Sequence, residues 1–223
     1  MLDRFIAAYN DAVFDTDRDE ALRVVQLALS DGATPEDVVF RLVVPAMDQM
    51  IKAISEDFDA NLAQPFMTAQ IANEVTEAML LRFSAPPRSL GRMVIGSAQG
   101  DMHSLGKRIV MGCLKAQMVE CIDLGVNVSA ERFVDEAVAA RASVIGVSAM
   151  MTHTARGPDG ALAVRRLLRA RGLESRIRII VGGAPYRFDP DLYRTVEADA
   201  WAEDGITAGK VIAGMLEEMP AWP

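Results

Sequence analysis

The spacing of hydrophobic positions changes part-way along the chain, and this change predicts two domains. Up to about Phe83, apolar residues recur every three or four positions, as on the buried face of a helix. Several such stretches separated by short polar loops predict a small helical bundle. The stretch 84–89 is the only proline-rich stretch between periodic segments. We therefore predict a bundle at 1–87 and a second domain at 88–223.

Local signals in the bundle predict where its helices begin and bend. Thr16 and Asp19 have the spacing of a capping box for the second helix. Thr34 followed by Pro35 predicts another helix start, and Pro45 is expected to break or kink that helix. The apolar pattern then resumes with Met47, Met50, Ile51, Ile54 and Phe58. The last helix is expected to face the bundle core with Met67, Ile71, Val75 and Met79.

From Arg92 onward, apolar runs of strand length alternate with helical patterns. The predicted strands are Met93–Gly96, Val119–Leu124, Val144–Ser148, Ile177–Val181 and a weak one at Ala200–Trp201. The predicted helices are Ser104–Met118, Ala130–Ala140, Gly160–Arg171 and Gly205–Glu218. This alternation predicts a parallel sheet covered on both faces. The fold class is α/β: an N-terminal helical bundle followed by a Rossmann-like (flavodoxin-like) five-stranded parallel domain, with either Rossmann-like strand order still open.

Composition and charge exclude several classes of function. Hydrophobic residues make up 51% of the 223 positions, and no apolar run reaches the roughly 18 residues that a membrane helix requires. We therefore expect a globular protein without a membrane partner. A net charge of −8 argues against a nucleic-acid partner, because nucleic acid normally needs a basic face. No signal peptide is visible, which favours the cytoplasm, so Cys113 and Cys121 are interpreted as buried thiols.

The loop after the first predicted strand, Gly100-Asp101-Met102-His103-Ser104-Leu105-Gly106-Lys107, is the strongest candidate for a ligand site. Such a loop lies at the carboxyl edge of an open α/β sheet, where these folds bind their ligands. A carboxylate on one ring nitrogen of a histidine fixes the tautomer and raises its basicity, as a metal ligand needs. Asp101 and His103 have the spacing for this, and Gly106 would let a flat group approach the backbone.

Three further loops are expected at the same edge of the sheet. After the third strand, the hydroxyls of Ser148, Thr152 and Thr154 would share one side of an extended segment. Gly182-Gly183-Ala184 follows the fourth strand as a wall that could line a slot, and 202–205 closes the rim. The first loop has no Gly-x-Gly-x-x-Gly, which removes the usual dinucleotide fingerprint.

Simpler interpretations stand beside the ligand hypothesis. Asp101 and His103 alone could be an ordinary loop pair. His103 and His153 could together hold zinc, but they supply only two clear ligands, and no cysteine pair has suitable spacing. Two glycines at 182–183 could form an ordinary turn.

The order and spacing of these motifs resemble the cobalamin-binding domain. Asp101-x-His103-x-x-Gly106, then Ser148-x-Met150 (where Ser-x-Leu is usual) and Gly182-Gly183, is similar to the signature of that domain. Methionine synthase, cobalamin-dependent mutases and the corrinoid proteins of methanol and methylamine methyltransferase systems share it. The N-terminal bundle and the stretches 100–110, 122–126 and 181–185 look most like the methyltransferase corrinoid proteins. The resemblance covers nearly the whole chain.

The resemblance implies a role for each motif. Cobalamin would bind with its own base displaced from cobalt and threaded into a slot of the sheet domain. His103 would then ligate the cobalt, Asp101 would hold the other ring nitrogen, and Thr154 would extend this relay as the third catalytic residue. The bundle would cap the upper face. The implied cofactor-binding residues are Gly100, Asp101, Met102, His103, Ser104, Gly106, Ser148, Met150, Thr152, Thr154, Gly182, Gly183 and Ala184.

Two side-chain interpretations remain next to these roles. Lys107 and Arg108, directly after the motif, are interpreted as solvent-facing helix residues, with contact to a corrin amide or phosphate as the alternative. Thr152 could merely satisfy backbone groups at the end of a strand. His153 stands where relatives usually have a small residue, and its role is open.

The function implied by the resemblance is that of a methyl carrier. Cobalamin, as methylcobalamin and cob(I)alamin, would shuttle a methyl group from a substrate-specific methyltransferase to an acceptor methyltransferase. No turnover is expected without these partner enzymes. A reductive activator and a homo-oligomer are left open as further partners. The alternative is a cobalamin-sensing regulatory protein that acts through a protein partner.

Overall fold

A computed structural model gives the fold of residues 2–47, 49–50, 63–84, 89–203, 205–220 and 222. The chain divides into two compact units, Met1–Arg88 with Lys115–Gln117, and Ser89–Leu114 with Met118–Pro223. The predicted boundary between positions 87 and 88 lies outside the described residues. No helix in the described part of the chain has both the length and the apolar character to cross a membrane.

The first unit is helical, as predicted. It contains α1 (Asp3–Phe14), α2 (Arg18–Ser30), the single turn α3 (Pro35–Asp37), a π-helical turn (Val38–Val43) that continues α3, and α4 (Ala63–Leu80). Apolar side chains spaced three or four positions apart point inward from these helices. The largest fully buried ones are Tyr9, Leu42, Met50 and Ile71.

The two predicted caps have opposite outcomes. The cap at Thr34 is confirmed, because its hydroxyl accepts a hydrogen bond from the backbone N–H of Asp37 at 3.0 Å, and the Asp37 carboxylate accepts the N–H of Thr34 at 3.1 Å. The prediction that Thr16 caps α2 is wrong. Thr16 has a φ of 57°, whereas a capping residue needs extended backbone. Asp17 caps α2 instead and accepts the N–H of Glu20 at 3.0 Å.

The helix after α3 continues through Pro45 instead of breaking there. Proline lacks a backbone N–H and crowds the carbonyl four residues earlier. The π-helical turn Val38–Val43 lies just before it and loosens the hydrogen-bond spacing at that point. In α4, Ile71, Val75 and Met79 are buried as predicted, but Met67 is 39% exposed. Positions Ile51, Ile54 and Phe58 lie outside the described residues.

The second unit is a doubly wound parallel sheet, which confirms the predicted fold class. Its strands are β1 (Gly91–Ser97), β2 (Val119–Asp123), β3 (Val144–Ser148), β4 (Arg178–Gly182) and β5 (Ala200–Ala202). They form one five-stranded sheet in the order β2-β1-β3-β4-β5, with every pair parallel. This is the flavodoxin-like order, whose switch point lies between β1 and β3.

Alternating residues of the strands pack into two helical layers. The helices of this unit are α5 (Leu105–Ala116), α6 (Ala130–Ala139), α7 (Thr152–Arg156), α8 (Ala161–Ala170), α9 (Ala184–Phe188), α10 (Leu192–Thr195) and α11 (Gly205–Glu218). On one face, Val94, Ile145 and Ile179 pack with α6 and α8 through residues such as Phe133 and Leu168. On the other, Met93, Val144 and Ile180 pack with α5 and α11 through Leu114 and Ile212. Both faces are therefore buried, as parallel strands require.

The carboxyl ends of four strands lie in register at one edge of the sheet. Ser97 at the end of β1 pairs with Ser148 of β3, which pairs with Gly182 of β4, which pairs with Ala202 of β5. All the loops that the sequence singled out therefore leave the sheet at this edge. The short helices α7, α9 and α10 were not predicted, because each has too few residues for an apolar period to show.

Candidate functional site

The candidate site is built around a buried carboxylate and a half-exposed imidazole. Both lie in the loop 98–104 between β1 and α5, here called the ligand loop. The side chain of Asp101 is completely buried, whereas that of His103 is 56% exposed. Asp101 Oδ1 lies 2.8 Å from Nδ1 of His103 and also accepts the backbone N–H of His103 at 3.0 Å. A carboxylate can only accept here, so Nδ1 donates to Asp101 and Nε2 is the ring nitrogen outside this hydrogen bond.

The second oxygen of the same carboxylate is held by the loop that follows β3. Asp101 Oδ2 accepts the backbone N–H of Met150 at 2.7 Å and the hydroxyl of Thr154 at 2.9 Å. The Thr154 hydroxyl also lies 2.8 Å from the carbonyl of Met151, and its single proton serves one acceptor at a time. The carboxylate thus ties the ligand loop to α7 on the far side of the switch point.

These hydrogen bonds decide the charge of Asp101. Burial raises the pKa of its carboxyl. The backbone N–H groups of His103 and Met150, together with the His103 ring and the Thr154 hydroxyl, outweigh burial and lower the pKa to about 2. Asp101 is therefore an anion at neutral pH, and it accepts each of its hydrogen bonds from a donor that is fixed in place.

The backbone of the ligand loop is held by Asn127, in the loop that follows β2, and by Ser97 at the end of β1. Asn127 accepts the N–H of Gly100 through Oδ1 at 2.8 Å and donates its own N–H to the carbonyl of Asp101 at 2.9 Å. Gly100 has a φ of 81° and Asn127 a φ of 53°, a conformation that glycine and asparagine tolerate. Buried Ser97 donates its hydroxyl to the carbonyl of His103.

The loop after β3 departs from its predicted geometry. The sequence places Ser148, Thr152 and Thr154 on one side of an extended segment, but Thr152–Arg156 is the helix α7. The helical period separates these hydroxyls, so that Thr154 is buried against Asp101 while Thr152 is exposed. Ser148 stays half-buried at the end of β3, and Met150 is 46% exposed.

The paired glycines at the end of β4 pack close to the backbone of neighbouring loops. Gly182 is the last residue of β4, and Gly183 has a φ of 116°. A Cβ at Gly183 would lie 1.9 Å from the carbonyl oxygen of Ala149, so only glycine fits there. Ala184 begins α9. A Cβ at Gly182 would lie 3.5 Å from the carbonyl oxygen of Ala202, an ordinary contact distance, and no side chain projects from either glycine.

The rim of the site is apolar and open. Met102 is 68% exposed and Leu105 is 43% exposed. Gly106, in the first turn of α5, has no atom within 4 Å of the position that a Cβ would take. Ser104 is half-buried. Met102, Leu105 and Gly106 thus flank His103 along the chain with exposed apolar groups, which suit a flat hydrophobic ligand.

The interpretation of one neighbouring side chain changes. Lys107 is not solvent-facing: it is 3% exposed, and its ammonium group pairs with Asp123 Oδ1 at the end of β2. Arg108 is exposed as predicted. His153 is exposed on α7. In the described part of the chain, no group of three or more His, Cys, Asp or Glu side chains is placed to hold a metal ion.

Sequence reasoning did not include Ser97, Asn127 and Asp123 in the site, although each positions it. Asn127 carried a usable signal, because an asparagine shortly after Gly125 is typical of a turn with positive φ. Asp123 lies in the stretch 122–126 that resembles the corrinoid proteins, although no role followed from it, and Ser97 carried no signal beyond its place at the end of β1. Cys113 is buried, as expected, whereas Cys121 is only half-buried.

Comparison with known proteins identifies the ligand class. Residues 91–209, more than half of the chain, match the family described as B12 binding domain. The chain belongs to the B12-binding family. Cobalamin is therefore its cofactor, and the resemblance found in the motifs is confirmed. The site fits such a cofactor, because a buried carboxylate orients the half-exposed imidazole, exposed apolar residues flank it along the chain, and the Gly182–Gly183 backbone carries no side chains.

Similar proteins in this family are corrinoid proteins. The chain is 32% identical to dimethylamine corrinoid protein 3 of Methanosarcina acetivorans over 78% of this chain and 80% of that protein. It is 29% identical to trimethylamine corrinoid protein 1 of the same organism over 84% of this chain and 86% of that protein. The fold matches the methanol:cobalamin methyltransferase complex MtaBC from Methanosarcina barkeri with a TM-score of 0.77 and 23% identity, over 98% of this chain and 82% of that one.

Proposed function

We propose that this corrinoid protein is a methyl carrier that binds cobalamin with its nucleotide base displaced and His103 on the cobalt. The observation that carries the proposal is the hydrogen bond between Asp101 Oδ1 and Nδ1 of His103 at 2.8 Å. It leaves Nε2 as the free ligand atom of a half-exposed ring. Among the described residues, no other histidine has one ring nitrogen held by a buried carboxylate.

Each residue of the site has a defined task in this proposal. His103 supplies one nitrogen to the cobalt through Nε2. Asp101 holds the proton on Nδ1 and so orients the ring, and Thr154 fixes the carboxylate. Gly182 and Gly183 leave room for the displaced nucleotide tail, while Ser148 at the end of β3 offers a hydroxyl to its base. Met102 and Leu105 exclude water from the lower face.

The cofactor supplies the group-transfer chemistry: cobalamin, when bound, provides a cobalt centre that accepts and releases a methyl group. The protein contributes orientation, an apolar surface and a held proton on Nδ1. In this proposal the methyl donor and the methyl acceptor bind to partner enzymes. We infer a substrate-specific methyltransferase and an acceptor methyltransferase as partners. The corrinoid relatives named for dimethylamine and trimethylamine make methylated amines the first donors to test.

Reconstitution with cobalamin and purified candidate partners tests this function. The expected result is methyl transfer from a methylated amine that requires this chain, its cofactor and both methyltransferases, and that is lost in His103→Ala. A protein that binds cobalamin but never exchanges a methyl group, and that instead binds or releases a regulatory partner when cobalamin is added, would favour the cobalamin-sensing alternative and overturn the carrier proposal.

A further inference from the structure

Lys107 is a buried cation whose position is unusual. It lies in the first turn of α5, four residues after His103, and is 3% exposed. Lysine is almost never buried without a partner, because removal of its charge from water is costly. Its partner is Asp123, the last residue of β2, whose side chain is 35% exposed. The pair therefore joins the helix that follows the ligand loop to the neighbouring edge strand.

Asp123 holds a second group at the same time. Its Oδ1 accepts the backbone N–H of Gly125 at 2.8 Å. Gly125 has a φ of 87°, so this bond stabilises the turn by which the chain leaves β2. The residues that follow β2, 124–128, are here called the β2 loop. One carboxylate oxygen thus anchors both the β2 loop and α5.

The β2 loop is also what supports the ligand loop. The carbonyl of Gly125 accepts the N–H of Ser97 at 3.0 Å, and the hydroxyl of Ser97 donates to the carbonyl of His103. Asn127 of the β2 loop binds Gly100 and Asp101. The ligand loop is therefore held before and at His103 by groups that are themselves bound to the β2 loop or belong to it.

We propose that the Lys107–Asp123 ion pair is a positioning device that fixes the His103 imidazole relative to the sheet. The inference rests on the proposed function, in which Nε2 of His103 ligates cobalt. A loop that could shift away from the sheet would let the nucleotide base of the cofactor compete for the cobalt. Lys107 prevents this shift because it fastens the first turn of α5 to the anchor that already supports the loop through Gly125 and Ser97.

A positioning role and a purely structural role predict different results. A buried ion pair can often be replaced by apolar groups with little change in global stability, whereas loss of one partner leaves a costly unpaired charge. Lys107→Met removes the cation and keeps an unbranched apolar side chain. Its unpaired partner, Asp123, is partly exposed and can be solvated. Lys107→Met is therefore expected to fold normally and to lose only the ion pair that joins α5 to the end of β2.

The first test uses the protein without cofactor. Hydrogen exchange is measured on backbone amides of 101–108 in wild type, Lys107→Met and Arg166→Met, the last removing an exposed cation of α8. Lys107→Met is expected to speed exchange in this segment about tenfold without changing the strand amides of β3. Arg166→Met is expected to change neither. Unchanged exchange in Lys107→Met would overturn the positioning role.

The second test adds cobalamin and reads the cobalt spectrum. Lys107→Met is expected to raise the Kd about tenfold and to increase the fraction in which the cofactor's own base stays on cobalt. If Asp123→Asn fails to fold because Lys107 is then buried and unpaired, the double variant Lys107→Met/Asp123→Asn restores folding and carries the same readouts. A normal spectrum in both variants contradicts the proposal. If wild type itself keeps its base on cobalt, the proposed function fails, while the exchange experiment still decides the role of the pair.

Discussion

The hydroxyl of Thr154 donates to Oδ2 of Asp101 at 2.9 Å across 53 residues of sequence. Both groups are buried. The bond joins the loops that leave β1 and β3, which are adjacent strands on either side of the switch point. Because Oδ1 of the same carboxylate faces the His103 ring, the position of the imidazole depends on a residue from a different loop.

Thr154→Val removes this hydroxyl and keeps the shape of the side chain. A hydrogen bond to a buried charged group contributes about 2 kcal/mol, so we expect a comparable loss in the free energy of unfolding and weaker cobalamin binding. Thr152→Val is the matched control, since Thr152 lies on the same short helix but is exposed. It should change stability by less than about 0.5 kcal/mol. Equal effects of the two substitutions in denaturant titrations would contradict the account.

The lowered pKa of Asp101 predicts a pH dependence for the stability of the cofactor-free protein. The folded pKa is about 2, below the value near 3.9 of an unfolded aspartate. The stabilisation is therefore nearly complete above about pH 5 and is lost progressively as the pH falls toward about 1, with a total of about 2–3 kcal/mol. Asp101→Asn should lower the free energy of unfolding at neutral pH and should reduce its further loss as the pH falls. If the free energy of unfolding falls equally with pH in wild type and Asp101→Asn, Asp101 does not contribute to this pH dependence.

Gly183→Ala should be strongly destabilising. The added Cβ would lie 1.9 Å from the carbonyl oxygen of Ala149, and the φ of 116° is one that alanine rarely adopts. Because both partners in this clash are backbone or rigid Cβ atoms, β4 and the loop after β3 would have to separate. We expect a loss of about 3 kcal/mol or more, measured by thermal or denaturant unfolding. Wild-type stability in this variant would contradict the close packing.

Gly106→Ala separates stability from cofactor binding. No atom lies within 4 Å of the Cβ position, and Gly106 lies in a helix, so the cofactor-free variant should gain up to about 1 kcal/mol. If Gly106 keeps the backbone clear for the flat ring of the cofactor, cobalamin titration should nevertheless give a weaker Kd. An unchanged Kd in the stabilised variant would remove Gly106 from the site.

The sequence predicted the parts of the fold that depend on hydrophobic period. Strands such as Val144–Ser148 and helices such as Gly205–Glu218 have the predicted bounds, because burial on two faces leaves a clear apolar run. Asp101 and His103 were predictable as partners, since the two-residue spacing allows their contact within one loop. Thr154 was assigned to the relay from its motif position, although the extended geometry assumed for it was wrong.

The positions that escaped prediction depend on contacts between distant loops. A lysine at the start of a helix normally faces solvent, and nothing in the sequence of α5 pairs Lys107 with Asp123, sixteen residues later. The turn of α7 has only five residues, so its period could not be read. Asn127 and Ser97 act through backbone atoms of the ligand loop, and such bonds leave no pattern along the chain.

The most direct test of the central claim is the identity of the nitrogen on cobalt. The protein is produced with nitrogen-15 histidine, loaded with unlabelled cobalamin and reduced to the cobalt(II) form for spin-resonance spectroscopy. Axial ligation by His103 predicts that the nitrogen superhyperfine pattern changes from triplets to doublets. His103→Ala should lose this pattern, whereas His153→Ala should keep it. Triplets that persist in the labelled wild-type protein would show that the cofactor's own base is still on cobalt and would contradict the account.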